Sequence, residues 1–216
     1  MLAGTVTVLV VLAALAQLVL PGIAASRLRS RLARNGNVLS VSVSAFPAVK
    51  LLFGHADGVK VRMGTVHIGV GEATGLLSMS INAGALDMAA QQVQIGPLAL
   101  AGATVHKGAG GELTGGALLS DAAIAAALPA GLAVTPIASG DGQLLLRGQL
   151  SAFGFSVGAD AVLEALDGRL VIVPVGAIGA LLSLTVYSDP RIHVDSVGAA
   201  PAPGGFQLSA SAHVTG

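Results

Sequence analysis

The strongest constraint on this chain is a two-residue alternation of apolar and polar side chains that recurs along most of its length. Residues 39–45, Leu-Ser-Val-Ser-Val-Ser-Ala, alternate without a fault. This is the period of a β-strand with one buried face and one solvated face. The same period returns near residues 59–63, 143–150, 155–161 and 206–214. The chain therefore predicts an antiparallel sheet with one apolar face.

The composition restricts what that sheet packs against. Hydrophobic residues make up 53% of the 216 residues and charged residues only 10%, against roughly 25% charged residues in a typical soluble domain. Such a chain is too apolar to be disordered and too poor in Lys and Arg to be mainly a nucleic-acid binder. With five Phe, one Tyr and no Trp, the sheet must curl around a helix, a second sheet or a ligand.

The N-terminus carries an apolar segment. Leu2 to Leu20 is nineteen residues without a charge, and at about 1.5 Å per residue a helix of this length nearly spans a hydrocarbon layer of roughly 30 Å. Residues 1–21 are therefore interpreted as a signal peptide or a membrane anchor, with a buried core helix as a third possibility. The run is longer than a typical signal-peptide core, which favours the anchor, whereas Gly22-Ile23-Ala24 is compatible with cleavage.

Residues 22–216 are expected to form one α+β domain, a curved antiparallel sheet wrapped around helices. A short amphipathic helix is predicted over 22–34, with Leu28 and Leu32 spaced i, i+4 opposite the arginines. A short apolar turn or helix is expected at 48–53, and further short helices are expected between Ser120 and Pro129 and near 175–184. The stretch 170–187 is uncharged; a strand followed by a short helix is preferred there over a second membrane span.

Charge is divided unevenly along the chain. Residues 1–62 hold seven basic residues and one acidic residue, whereas residues 63–216 hold four basic and ten acidic residues. The basic half favours anionic lipid head groups, by about 1 kcal/mol for each basic residue near the surface, or is simply a solvated face. Because four arginines directly follow the apolar run, the positive-inside rule alone would place the rest of the chain in the cytoplasm.

No motif points convincingly to catalysis or to a bound cofactor. Residues 154–158 match G-x-S-x-G, but Ser156 falls inside an alternating strand and not at a strand-to-helix turn. The five histidines have no metal-binding spacing, and the chain has no cysteine. Their convergence in space stays open. The Gly-rich stretches near 69–75 and 110–115 lack the spacing of nucleotide-binding loops. We expect no enzyme activity, no cofactor and no metal.

The order of weak motifs is similar to that of a known family. The motifs are Phe46-Pro47 at a strand end, Leu51-Leu52-Phe53-Gly54, Gly58-Val59-Lys60-Val61, Gly140-Asp141-Gly142, Asp167-Gly168-Arg169-Leu170-Val171 and a terminal strand from Gly205 to Val214. Over about residues 20–216 the chain resembles the LmeA-like family of phospholipid-binding envelope proteins of actinobacteria. The resemblance implies a tubular lipid-binding fold, in which a curved antiparallel sheet cups a long helix. It also implies phospholipid binding on the outer side of the plasma membrane and no known catalytic residues.

We therefore expect a membrane-anchored or secreted, extracytoplasmic protein that binds or transfers phospholipid. Its expected partners are phospholipid and the membrane, not nucleic acid. A membrane-anchored scaffold without lipid cargo is the alternative. The predicted lipid-binding residues are Phe46, Leu51, Leu52, Phe53, Phe155, Val157, Phe206, Leu208 and Ala210. The predicted head-group or membrane contacts are Arg27, Arg31, Arg34 and Lys50.

The alternation also makes a prediction about burial. Phe155, Val157, Phe206, Leu208 and Ala210 should lie buried in one concavity, which opens near residues 46–53. Gln207, Ser209 and Ser211, at the opposite parity of the last strand, should be exposed.

Overall fold

The fold is described from a computed structural model, which covers residues 17, 19–68, 83–152, 155–176 and 183–215. Most of the predicted anchor, the Gly-rich stretch near 69–75, Gly154 of the G-x-S-x-G motif and the middle of the helix predicted near 175–184 lie outside these ranges. Within them, none of the helices combines the length and the apolar character needed to cross a membrane.

The described residues form twelve strands, two α-helices and one 3-10 helix. Helix α1 covers residues 19–32 and α2 covers Asp121–Ala127. The 3-10 helix is Ala48–Phe53. The strands are β1 Gly36–Ser44, β2 Ala56–Ile68, β3 Ala83–Ile95, β4 Leu98–Lys107, β5 Glu112–Ser120, β6 Leu132–Gly140, β7 Gln143–Ala152, β8 Phe155–Leu166, β9 Arg169–Pro174, β10 Leu184–Tyr187, β11 Ile192–Ala202 and β12 Gly205–Val214.

The strands divide into two open sheets, not the single sheet that the sequence predicts. The larger sheet has the order β1-β2-β3-β4-β5-β12-β11, and the smaller has the order β10-β9-β8-β7-β6. The pairs are antiparallel except for β2 and β3, which run parallel. A wholly antiparallel sheet is therefore also a wrong prediction. Alternation within a strand shows which side is buried, but it carries no information on the direction of the neighbouring strand.

Helix α1 packs on the apolar side of the larger sheet. Leu32 is 1% exposed and joins a core with Val61 and Met63 of β2, against which Leu28 is also packed. The predicted i, i+4 pair, Leu28 and Leu32, therefore faces the sheet. Arg27 and Ser30 lie three positions apart on the solvent-facing side of the helix and are exposed. The helix begins earlier than the predicted residue 22, since residues 19–21 are already helical.

A line of one-residue bulges crosses β2, β3 and β4 of the larger sheet. Uninterrupted alternation would turn residues three positions apart to opposite sides. Three pairs with this spacing nevertheless belong to the same core, namely Met63 and Val66, Ala90 and Val93, and Leu100 and Ala103. These positions are partners across β2, β3 and β4. An extra residue at the same level of three adjacent strands increases their bend and twist along one line.

Strand β1 corrects another detail of the predicted alternation. Its pairing with β2 shifts register on either side of Val38. Val38 therefore packs against the core, and Leu39 is 46% exposed. The faultless alternation of residues 39–45 placed Leu39 on the buried side, which is wrong because the register shift reverses the parity at that end of the strand.

Several local predictions are confirmed. The Ser120 hydroxyl accepts a hydrogen bond from the Ala123 N–H at 3.1 Å and caps α2. The 3-10 helix occupies the predicted 48–53 segment. Asp167 and Gly168 connect β8 to β9 with φ values of 50° and 75°, which is the conformation that favours Asp-Gly in tight hairpins.

The hairpin turns of the smaller sheet cover the outer edge of β11. The Val194 N–H donates to the Gly168 carbonyl, and the Val197 N–H donates to the Gly142 carbonyl, both at 3.0 Å. The Ser139 hydroxyl accepts from the Ala199 N–H at 3.1 Å. These bonds satisfy edge groups that would otherwise be open to pairing with another chain. They also hold the smaller sheet against the end of the larger one.

An ion pair supports the segment that joins the two sheets between β10 and β11. The Asp189 carboxylate, whose side chain is 1% exposed, accepts from Arg191 Nε at 3.1 Å and from its guanidinium NH2 at 3.0 Å. The Arg191 backbone N–H donates to the same carboxylate at 2.9 Å. The side-chain bonds from Arg191, with the backbone bond, lower the pKa of Asp189 below its usual value.

We expect Asp189→Asn to reduce stability at neutral pH and to weaken the acid sensitivity of folding. A carboxylate with a lowered pKa stabilises the fold above its unfolded-state pKa of about 3.9, and this contribution is lost as the pH falls through the folded-state value. The melting temperatures of the two proteins should therefore differ at pH 7 and converge as the pH falls below about 4. Asp141→Asn, the same change in an exposed turn, is the control. A difference that stays constant over this pH range would contradict the prediction.

Candidate functional site

The apolar side of the larger sheet continues beyond α1 as one inner face. Cross-strand partners lie on the same side of a sheet. Met88 pairs with Val105, Val105 with Gly115, Gly115 with Ala210, and Ala210 with Val197. This row runs from β3, under α1, to β11 at the edge. The inner face therefore extends past the part of the sheet that α1 covers.

An apolar cavity of about 220 Å³ lies on this extension. Small residues leave the space, namely Gly115 and Ala210 in the row and Ala212 two positions along β12. The lining side chains come from both sheets and are Val105, Leu113, Thr114, Leu170, Tyr187, Ile192, Val194, Val197, Ala210, Ser211 and Ala212. Such a lining suits aliphatic chains, since burial of each methylene group is favourable by about 0.8 kcal/mol.

The Tyr187 hydroxyl is a buried polar group in this largely apolar region. It makes no hydrogen bond to the part of the chain that the structure describes. Burial raises the pKa of Tyr187, and the negative charge of Asp189 adds to the rise. The hydroxyl therefore stays protonated at neutral pH and adds no charge to the cavity.

The inner face continues onto the smaller sheet. Leu170 of β9 lines the cavity, and its partner Ala165 lies on the same side of β8 as Leu163, Val157 and Phe155. Leu144, the partner of Leu163, is buried. Near the start of β8, no described residue packs over the inner face, so that Val157 and Phe155 are 67% and 78% exposed.

The predicted lining residues are therefore brought onto one inner face, but not all of them are buried. Phe206 and Leu208 are half-buried, and Ala210 is accessible at the cavity. The predicted burial of Phe155 and Val157, and of Ala210, is wrong. For Phe155 and Val157 the parity is right, but nothing in the described residues covers that end of the smaller sheet. Ala210 of β12 is instead exposed at the apolar cavity.

On the outer side of β12, two of the three side chains predicted to be exposed are exposed. Gln207 and Ser209 are exposed. Ser211 is half-buried and shares a 2.6 Å hydrogen bond with the Ser196 hydroxyl, so its predicted exposure is wrong. The cause is a register shift in β11 between Val194 and Ser196, which brings the two hydroxyls together.

A second set of predicted residues forms an exposed apolar tip at one end of the larger sheet. We use the name tip for residues 46–53, which comprise Phe46, Pro47 and the 3-10 helix. Ala48 is buried and Leu51 half-buried, which fixes the helix on the sheet. Phe46, Leu52 and Phe53 are 77%, 67% and 75% exposed. Exposed apolar clusters of this kind mark contacts with membranes or other proteins.

Polar contacts hold the tip in place. Lys50 Nζ lies 3.0 Å from the Asp57 carboxylate, which also accepts from the Phe46 N–H. The hydrogen bond from the Phe46 N–H is the main cause of a lowered pKa of Asp57, and the hydrogen bond from Lys50 lowers this pKa further. Lys50, although a predicted head-group contact, is thus already paired with a carboxylate.

The start of α1 is tied to the tip. The Ala48 N–H donates to Gln17 Oε1 at 2.8 Å, and Gln17 Nε2 donates to the Ala45 carbonyl at 3.4 Å. The apolar segment that ends at Leu20 therefore reaches the folded domain beside the exposed phenylalanines. Arg34 lies beyond the other end of α1, about 25 Å from Gln17 by the rise of a helix. The predicted cationic contacts on α1 and at Lys50 are therefore not brought together at one place.

Behind the tip lies a second cavity, of about 630 Å³. We call it the tip cavity. Its lining includes Lys50, Phe53, His55, Asp57, Ala83, Gly84, Lys107, Gly110 and Val214. Lys107 is 5% exposed, and its Nζ donates to the Ala83 carbonyl at 2.7 Å. The sequence prediction did not include Lys107 or His55. The signal for Lys107 was its parity on β4, in phase with the apolar Ala103 and Val105.

Two features with chemical interest are placed away from these cavities. Ser156 lies within β8, as predicted, and shares a 2.9 Å hydrogen bond with Ser151. The rings of His193 and His213 lie 4.8 Å apart, and His213 also contacts Asp195 at 2.8 Å. Two of the five histidines therefore do converge. Over the described ranges, no three His, Asp or Glu side chains are grouped as metal ligands.

Comparison with known proteins identifies a family. A family model described as LmeA-like phospholipid-binding matches residues 11–201. Neither the curated proteins nor the solved structures contain a match. The matched range includes the tip, α1 and both sheets as far as Pro201 on β11. The chain therefore belongs to the LmeA-like phospholipid-binding family, and this membership implies that it binds phospholipid.

Proposed function

We propose that this protein holds a phospholipid along its inner face and exchanges it with a membrane at the tip, as a lipid-binding or lipid-transfer protein of the cell envelope. The observation that supports this best is the course of the inner face. The inner face follows β12 from Ala210, which lines the apolar cavity, to Val214, which lines the tip cavity. Ala210, Ala212 and Val214 share one side of this strand, and four residues of a strand span about 13 Å, so a row of apolar side chains lies between the two cavities.

We infer that the fold is of the tubular lipid-binding type. A curved sheet packed on one helix and joined to a second sheet by a shared apolar side supports this assignment. The larger sheet has seven strands, and the bulge line across β2, β3 and β4 increases its bend and twist. The scaffold alternative predicts instead that the protein's own side chains occupy the whole inner face.

We also propose that the tip faces the bilayer. Gln17 brings the end of the apolar segment to the tip, so a membrane that holds this segment would lie next to Phe46, Leu52 and Phe53. The resemblance to envelope proteins supports a location on the outer side of the plasma membrane, whereas the arginines after the apolar segment favour the opposite side.

Single-cysteine labelling tests the location, since the chain has no cysteine of its own. Gln149→Cys places a thiol at an exposed position of β7. A membrane-impermeant maleimide should label it in intact cells that express the full chain. Labelling only after the cells are lysed would contradict the extracytoplasmic location without affecting the lipid-binding proposal.

Native mass spectrometry of the full chain, purified in a mild detergent, tests the cargo. We expect a species that carries one phospholipid, identified after organic extraction, and renewed uptake of a fluorescent phospholipid after delipidation. A protein that carries no lipid and takes up none would support the scaffold alternative.

Charge reversal at the tip should weaken membrane binding in a salt-dependent way. Lys50→Glu should lower association with anionic vesicles several-fold at low ionic strength, since each basic group near the surface contributes about 1 kcal/mol. The loss should shrink at 0.5 M salt, where charges are screened over a few ångströms. Lys60→Glu makes the same change in net charge on β2, away from the tip, and is the control in co-sedimentation assays. Equal losses for both variants would argue against a role for the tip.

We assign no catalytic step to this protein. Ser156 lies within a strand and bonds to another serine, so it lacks the strained turn of a nucleophile elbow. We expect Ser156→Ala to change stability by no more than about 0.5 kcal/mol and to leave phospholipid uptake unchanged. Loss of an esterase activity in the folded variant would show that the motif is catalytic.

A further inference from the structure

Tyr187 has its polar end inside the protein. It is the last residue of β10, at the edge of the smaller sheet. The residue as a whole is half-buried, whereas its hydroxyl oxygen is fully buried. A tyrosine near a surface ordinarily has the reverse arrangement, with the ring against apolar groups and the hydroxyl in water. Tyr187 therefore holds a hydrogen-bond donor away from the solvent that would satisfy it.

The Tyr187 hydroxyl has no partner in the part of the chain that the structure describes. A buried donor without a bond costs more free energy than a typical hydrogen bond contributes, and such groups are uncommon in folded proteins. Burial raises the pKa of Tyr187, so the proton stays on the oxygen and is available for donation. A ligand oxygen that reaches this hydroxyl would supply the missing acceptor.

The apolar cavity next to Tyr187 determines which kind of acceptor fits. Tyr187 lines this cavity together with aliphatic side chains such as Leu170 and Val194. Among the described residues, no charged side chain lines it. A carboxylate or a phosphate group would therefore lose its hydration there without compensation. An ester carbonyl is a neutral acceptor, and the methylene groups of its acyl chain suit the aliphatic walls.

The position of Tyr187 allows its hydroxyl to become accessible. The hydroxyl is covered in this structure, so the side chain has to turn before a ligand can reach the oxygen. Strand β10 is only four residues long, and its other three residues are exposed. An edge strand with so little packed around it leaves room for the ring to change rotamer.

We propose that the apolar cavity binds an acyl ester of the phospholipid, and that the Tyr187 hydroxyl turns into the cavity and donates to the ester carbonyl. This assignment rests on the proposed phospholipid binding and adds the chemical group that is recognised and its place in the fold. From this cavity the inner face extends along β12 to the tip cavity and also onto the smaller sheet. The acyl chains therefore have apolar surface on either side of the ester.

The test compares diester phosphatidylglycerol with its diether analogue, which has the same head group and chains but no carbonyl. Each lipid displaces a fluorescent phospholipid from the delipidated full chain. Wild-type protein should bind the diester about ten-fold more tightly, because a buried donor gains a hydrogen bond from it. Tyr187→Phe should remove this preference and leave the affinity for the diether unchanged. An unchanged preference in Tyr187→Phe would overturn the inference.

The matched control is Thr185→Val, which removes an exposed hydroxyl from the same strand and should keep the preference for the diester. The wild-type measurements also separate the inference from the function on which it rests. Equal affinity for the two lipids would overturn the ester assignment and leave phospholipid binding intact. If wild-type protein binds neither lipid, the proposed function itself fails.

Thermal unfolding without lipid tests the starting observation. Tyr187→Phe should keep or raise the melting temperature, because it removes a buried hydroxyl that has no partner among the described residues. A clearly lower melting temperature would show that the hydroxyl is bonded within the protein, which would overturn the inference.

Raman spectroscopy of the unsubstituted protein covers the case in which Tyr187→Phe does not fold. The chain has one tyrosine and no tryptophan, so the tyrosine ring doublet, whose intensity ratio depends on the hydrogen bonding of the hydroxyl, reports on Tyr187 alone. Diester phosphatidylglycerol should change this ratio towards that of a hydrogen-bond donor, and the diether should not. Identical spectra with both lipids at saturation would overturn the inference.

Discussion

Phe46→Ser, Leu52→Ser and Phe53→Ser in one protein should reduce binding to anionic vesicles by roughly a hundred-fold or more. These side chains are mostly exposed in the folded protein, so insertion into a bilayer would remove much of their apolar surface from water. Full burial of such a side chain contributes about 1.5 to 3 kcal/mol, and 2.8 kcal/mol corresponds to about a hundred-fold in affinity. Vesicle co-sedimentation measures the loss, and transfer of fluorescent phospholipid between vesicles should fall with it.

The control for the tip variant is Leu39→Ser combined with Leu166→Ser. Both leucines are about half exposed and lie away from the tip, on β1 and at the end of β8. This protein should bind vesicles as the wild type does. The tip variant should also keep its melting temperature, because it removes few buried contacts. Vesicle binding that is equally strong in the tip variant and the wild type would show that the tip is not the membrane contact.

Ala210→Trp should lower phospholipid uptake by roughly fifty-fold without unfolding the domain. Ala210 lines the apolar cavity of about 220 Å³ and is accessible from it, so an indole has room to enter and then occupies the space. Displacement of three methylene groups from an apolar site costs about 2.4 kcal/mol, which corresponds to the stated change in affinity. Titration of delipidated protein with a fluorescent phospholipid measures it.

Gln207→Trp provides the matched control, since this residue is exposed on the outer side of the same strand. Circular dichroism and the melting temperature should be close to wild type for both variants. If Ala210→Trp takes up lipid normally, the acyl chain does not use this cavity. Loss of uptake in both variants would show that the strand itself was disturbed.

The sequence predicts the local structure of this protein well, because local structure depends on residues a few positions apart. The Asp167-Gly168 turn and the Ser120 cap follow from side chains that favour those backbone conformations. The Leu28 and Leu32 pair identifies the face of α1 that packs on the sheet. Each of these predictions is confirmed.

The candidate site is predictable in its apolar part and not in its polar part. Alternation places Phe206, Leu208 and Ala210 on one side of β12, where the inner face is found. The sequence did not identify Lys107. Its position alternates in phase with apolar residues, but a lysine at the end of a strand can equally reach solvent, and the sequence alone does not distinguish the two cases. The tip cavity forms only when β2, β3, β4 and β12 end beside the 3-10 helix.

The sequence determines through its two-residue period that this chain forms strands with one apolar side, through its Asp-Gly pairs where hairpins turn, and through Leu28 and Leu32 which face of α1 is buried. The tertiary structure decides which strands are neighbours, that β2 and β3 run parallel, and that the strands divide into two sheets. It also decides that Phe155 and Val157 are exposed although their parity is right. The physical reason is that parity is a property of one strand, whereas burial requires a cover, and the cover comes from residues far away in the chain.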